Sequence, residues 1–187
     1  MNGNFTKKFE NNFAKKFKNK FAVAVNSGTS ALHVALLALG IKKNDEVIVP
    51  PLTFIATSFA PLYLGAVPVF ADIEKDTFNI DPDDIIKKIT NKTKVIIAVS
   101  IYGLPANLTK IKRISRDYNL RIIEDNAECI FGKSKGKLAG TFGDISIYSF
   151  QRSKHLTTGD GGMLITNNEK YAELARKYSD LGYRNLT

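Results

Sequence analysis

Ile145-Ser146-Ile147-Tyr148-Ser149-Phe150-Gln151-Arg152-Ser153-Lys154-His155-Leu156-Thr157-Thr158-Gly159-Asp160-Gly161-Gly162-Met163-Leu164-Ile165 reads as two strands joined by a polar, glycine-rich turn. The first run, Ile145 to Phe150, alternates like a strand and delivers Lys154 onto that turn. An ammonium on a loop is ordinarily a solvated charge. Here small and hydroxyl residues (Ser149, Ser153, Thr157, Thr158) and three glycines surround it, so backbone and ligand can approach closely. A separate apolar run upstream, Arg121-Ile122-Ile123-Glu124-Asp125, ends in acid. The two runs predict a lysine and a carboxylate on strand ends of one sheet.

The rest of the chain repeats that grammar. Phe21–Val25 is a buried-type strand that stops at Asn26-Ser27-Gly28-Thr29-Ser30, and a helix runs from Ala31 to a Gly40 cap. Strand, small polar turn and helix N-terminus together favour an anion. Glu46–Val49 precedes Pro50-Pro51-Leu52-Thr53-Phe54 and a helix through Leu64, and Val67–Ala71 precedes a helix from Pro82 to Ile89. Lys94–Val99 leads to a helix from Asn107 to Tyr118, and a last helix spans Glu169 to Asp180. Strands separated by helices at this spacing predict an α/β fold, a mostly parallel central sheet with helices on both faces. Ligands of such sheets bind at the carboxyl ends of the strands, where Gly28, Phe54, Asp125 and Ser149 fall.

Composition narrows the function. The chain has 187 residues, 44% hydrophobic and 24% charged, enough for one domain with a substantial core. Its formal charge is +9, but the first twenty residues hold six lysines against Glu10 alone. No zinc-finger spacing or interleaving of aromatics with arginine accompanies that charge, so no nucleic-acid partner is expected. Phe5, Phe9, Phe13, Phe17 and Phe21 recur every four residues, an apolar stripe on a basic helix that straps onto the body of the protein or onto a partner subunit. A membrane-surface role is the lesser reading of that helix, and no membrane partner is expected. Cys129 is the sole cysteine, which excludes an internal disulfide, and it reads as core, as His33 reads as a packed side chain. No apolar run reaches the length of a membrane span and the basic N-terminus has no apolar signal segment, so the cytoplasm is the expected location.

A lysine and an acid so placed suit pyridoxal phosphate: the amine forms a Schiff base with the aldehyde, and the carboxylate pairs with the pyridinium nitrogen. Asn26–His33, Val49–Phe54, Ile123–Asp125 and Ser149–Gly162 also occur in the order and spacing of the DegT/DnrJ/EryC1/StrS sugar aminotransferases of fold type I, which the chain resembles from about Phe9 onward. The resemblance implies transfer of an amino group from glutamate or glutamine onto a keto sugar-nucleotide. It implies that Lys154 carries the cofactor and shuttles a proton, and that Asp125 keeps the pyridine nitrogen protonated. It implies as well that Phe54 stacks on the ring and that Ser149 with the Gly28 and Thr29 backbone holds the phosphate. Sugar dehydratases of the family have histidine in place of the lysine, so Lys154 favours transamination. Glu128 stands where the family usually has glutamine or histidine beside the phenolic oxygen.

The resemblance further divides the chain into a basic amphipathic helix over 1–20 and a cofactor-binding large domain over 21–187, with the C-terminal small domain absent after Tyr183–Thr187. A homodimer, or a complementing C-terminal fragment, is the partner it implies. A non-catalytic or split relative that keeps the sheet and some cofactor affinity is the alternative.

Overall fold

A computed structural model describes residues 3–180; the stretch Tyr183–Thr187 lies outside them. Helices α1 (Asn4–Lys16), α2 (Gly28–Ala38), α3 (Ala56–Leu62), α4 (Pro82–Lys88), α5 (Leu108–Asp117) and α6 (Glu169–Ser179) surround a seven-stranded sheet. Its strands are β1 (Phe21–Val25), β2 (Glu46–Val49), β3 (Val67–Phe70), β4 (Thr93–Val99), β5 (Arg121–Asp125), β8 (Ile145–Ser149) and β9 (Gly162–Thr166). A two-residue-per-strand hairpin, β6 (Lys133–Ser134) and β7 (Lys137–Leu138), stands apart from it. The sheet order is β1-β9-β8-β5-β4-β2-β3. Every pairing from β3 to β8 is parallel, whereas β9 runs antiparallel to both β8 and β1. Helix α2, α3, α4 or α5 lies between most successive parallel strands, whereas β8 returns as β9 through the helix-free loop 150–161 and pairs antiparallel.

Period-2 alternation assigns each strand residue to one of two cores. Val47, Val49, Ile97, Ile123, Ile147 and Leu164 pack with Leu32 and Leu36 of α2. Ile48, Ile96 and Ile122 meet Leu108, Ile111 and Ile114 of α5, whose buried positions recur at helical spacing. Caps hold the helix starts in register: Ser27 accepts from Ser30 N–H, Asp81 from Asp83, Asn107 from Lys110 and Asn168 from Tyr171.

The phenylalanine stripe does not stay on one helix. α1 ends at Lys16, Phe17 caps it, Lys18 turns left-handed at φ 53°, and Phe21 opens β1. Phe13 and Phe17 are buried against Tyr148, Phe150 and Met163, whereas Phe5 is exposed. Glu10 is buried at 7% exposure and receives Ala24 N–H at 2.8 Å, while Arg176 Nη1 reaches both its oxygens at 3.1 and 2.9 Å. Arg176 Nη2 also donates to Ala22 O at 2.7 Å, so one ion pair ties α1, β1 and α6 together. Among the described residues no helix is long and apolar enough to cross a membrane.

Candidate cofactor site

A cavity of about 480 Å³ opens at the carboxyl ends of the parallel strands. Gly28, Thr29, Phe54, Asp125, Glu128, Ser149 and Lys154, the seven residues singled out from the sequence, all line it. They come from the ends of β1, β2, β5 and β8, so the sheet gathers them from 127 positions of chain between Gly28 and Lys154.

The loop after β8 sets Lys154. Phe150 N–H donates to Gly161 O at 2.8 Å and Thr158 N–H to Phe150 O at 3.0 Å, closing the loop at its base. At its tip the Gln151 side-chain oxygen accepts from Ser153 N–H at 2.8 Å and from Ser153 Oγ at 2.6 Å, and Lys154 N–H donates to Gln151 O at 2.8 Å. The tight turn brings Lys154 Nζ to 3.3 Å from Glu128 Oε1, with the two side chains 22% and 30% exposed. Glu128 Oε2 accepts in turn from the N–H of Tyr102, which sits at φ 52° in a short 3₁₀ turn.

Asp125 ends β5 with its carboxylate on the α2–α3 side of the sheet. Oδ1 accepts from Ala127 N–H at 3.1 Å and Oδ2 from Thr57 Oγ1 at 3.2 Å. Burial pushes its pKa up to about 6; the Ala127 and Thr57 donors and the Lys154 charge oppose that rise, and Glu128 adds to it. A carboxylate has about four lone-pair positions, so two donors leave it able to accept from a group in the cavity. Thr57 is a cavity residue that sequence reasoning missed. Its only signal was its place one turn after Thr53, whose hydroxyl lies 3.0 Å away.

At the other end of the cavity the first turn of α2 meets β8. Its leading N–H groups have no intrahelical acceptors, as at any helix start. A Cβ on Gly28 would lie 2.9 Å from Ser149 Cβ, so only glycine lets the helix start sit this close to that hydroxyl. Gly162 serves the same approach, since a Cβ there would fall 2.3 Å from Ser27 O. Phe54 stands at the rim, 68% exposed. His33 is partly buried and packs edge-on to Tyr63 with centroids 5.5 Å apart, and Cys129 is buried; neither lines the cavity.

The adjacent Glu124 faces the opposite way and belongs to the scaffold. Oε1 accepts from Phe142 N–H at 2.7 Å, Gly143 N–H at 2.6 Å and Ser146 Oγ at 3.1 Å, and Oε2 from Gly140 N–H at 2.6 Å. Burial raises its pKa and those four donors pull it back down.

The whole chain, residues 1–187, matches one family. It belongs to the DegT/DnrJ/EryC1/StrS aminotransferase family. Among similar proteins, GDP-perosamine synthase of Escherichia coli O157:H7 is 50% identical over 167 residues, 89% of this chain and 46% of that protein. The aminotransferase from Psychrobacter cryohalolentis superposes with a TM-score of 0.93 at 41% identity, over 95% of this chain and 45% of that one. NtdA from Bacillus subtilis, solved with bound cofactor PMP, gives a TM-score of 0.90 at 36% identity over 95% of this chain and 40% of that one. The chain thus spans about half the length of the curated relatives it matches. With family membership and the α/β architecture in agreement, the sheet is that of a fold type I aminotransferase.

Proposed function

We propose that this family member binds pyridoxal phosphate and takes part in moving an amino group from an amino-acid donor, glutamate or glutamine, to a keto sugar-nucleotide. The observation that carries the reading is one cavity holding an amine, a buried carboxylate with spare acceptor capacity and a glycine-lined helix start beside a hydroxyl. These residues fit the cofactor's aldehyde, ring nitrogen and phosphate. The PMP named with the NtdA structure and the GDP-perosamine synthase activity named for the E. coli relative support cofactor and substrate class.

When bound, the cofactor supplies an electron sink for charge that develops beside the transferred nitrogen. The chain does the rest. Lys154 Nζ would hold the cofactor covalently and, when free, would hold the proton exchanged at the substrate carbon. Asp125 would accept from the pyridine N–H and keep it protonated, with Thr57 and the Ala127 N–H fixing the carboxylate. The Gly28 and Thr29 N–H groups and Ser149 Oγ bind the phosphate. Phe54 covers the ring, and Glu128 orients Lys154. A second copy of the chain, or the portion corresponding to the rest of its relatives, covers the open rim at Phe54.

The test is borohydride reduction of the chain after incubation with pyridoxal phosphate, followed by peptide mass mapping. The expected outcome is a stable adduct on Lys154, absent from Lys154→Ala. An adduct spread over surface lysines, with Lys154 unmodified, overturns the reading.

A further inference from the structure

A second cavity, of about 340 Å³, lies at the opposite end of the sheet, where α5 ends and β5 and β8 begin. Its wall carries Lys112, Arg116 and Arg121, and Asp144 is the sole acidic residue lining it. Asp144 is already engaged, 3.3 Å from Arg121 Nη1 and accepting Ile122 N–H at 2.9 Å. Lys112 Nζ donates to Phe142 O at 2.5 Å, which pins its ammonium to the rim. Arg116 is exposed and has no ion-pair partner among the described residues. The concavity therefore holds a net excess of positive charge over a floor that includes Leu120 and Phe142.

We propose that this cavity is a binding site for a small phosphate-bearing anion, separate from the cofactor cavity. Three cations around a concave surface focus positive potential, and a guanidinium with free donors matches two phosphate oxygens at once. Leu120 and Phe142 add an apolar part to a mostly polar lining, against which the organic part of a phosphate ester fits. The same rim touches the scaffold of the cofactor site, since Phe142 and Gly143 both donate to Glu124, the neighbour of Asp125.

The test is an amide NMR titration of the full chain, first with inorganic phosphate and then with guanosine 5′-monophosphate. The signals of Arg121 and Gly143 report this cavity, and that of Gly28 reports the cofactor cavity. Saturable shifts at Arg121 and Gly143 are expected, with affinity falling about tenfold or more in Arg116→Ala, the loss of a charge-assisted bond. Arg116 is at the surface, so the fold survives its removal, and the response of Gly28 stays as in the wild type. A lower midpoint for the nucleotide assigns the occupant to an organic ester, and equal midpoints assign it to free phosphate. No saturable shift at Arg121 and Gly143, an unchanged midpoint in Arg116→Ala, or loss of those shifts in Ser149→Ala overturns the proposal. None of these outcomes bears on Lys154 labelling, so the two readings fail independently.

Discussion

Glu124 and Asp125 are consecutive, both acidic and both buried, at 0% and 4% exposure, yet they belong to different halves of the molecule. Glu124 points into the α5 side and receives four donors from residues 140–146, all from the chain itself. Asp125 points into the cavity and receives two. A buried carboxylate whose acceptor positions are filled by its own chain is a structural clamp. One left partly unfilled bears a desolvation cost that a ligand can relieve. The number of internal donors, more than burial or charge, separates the scaffold acid from the one that faces the cavity.

The sharpest way to break that contrast is Asp125→Asn. Under the proposed function it should cost about a hundredfold or more in transamination, because an amide cannot stabilise a protonated ring nitrogen as a charge does. In stability the cofactor-free variant should gain. The carboxyl is raised from 3.8 to about 6 in the folded chain, so the native state binds the extra proton between those values. Folding stability therefore falls as pH rises through that window, and the penalty is complete above it. Asp125→Asn should be about 1–3 kcal/mol more stable than the wild type at pH 7.5, with the gap closing as pH falls towards 4. Paired denaturant melts at the two pH values check it, and an equal gap at both would refute the assignment.

Glu124→Gln should act in the reverse sense. An amide has one oxygen: with it in place of Oε1, which takes three donors, the NH₂ faces Gly140 N–H, so at least that buried donor loses its acceptor and meets a second donor. A loss of about 2–4 kcal/mol at neutral pH is expected in the same melts. A variant as stable as the wild type would remove the distinction between the two acids.

The smallest expected effect belongs to Thr57→Val, which keeps shape and deletes one of the two donors to Asp125. A loss of about 1 kcal/mol in stability, with cofactor affinity weakened several-fold, is expected from calorimetry and fluorescence titration. Affinity unchanged within error would mean that Ala127 N–H alone orients the carboxylate.

The positions of Lys154 and Asp125 were legible because each follows an apolar run of strand length, and sheets bind ligands where such runs end. Helix α5 was equally legible, its cap at Asn107 and its buried residues Leu108, Ile111 and Ile114 obeying local rules. Thr57 was not, since its partner Asp125 lies 68 residues away and nothing local marks a threonine in α3 as a donor. The phenylalanine stripe misled at its far end, because a four-residue period continues through Phe21 while the backbone has left the helix at Lys18. Nothing near Glu10 in its lysine-rich segment marks it as buried, because its partner Arg176 stands 166 residues downstream.

By itself the sequence determined the alternation of strands and helices, the loop that carries Lys154 and the acid at the end of β5. Those features rest on interactions between near neighbours: backbone periodicity, helix caps and glycine-permitted turns. Only the tertiary structure decided which face of β5 looks into the cavity and which acid is satisfied by its own chain. It also brought Thr57 to Asp125 and Glu128 to Lys154. Such contacts join residues far apart in the chain, and they form only when the packing of both sheet faces fixes strand order and register together.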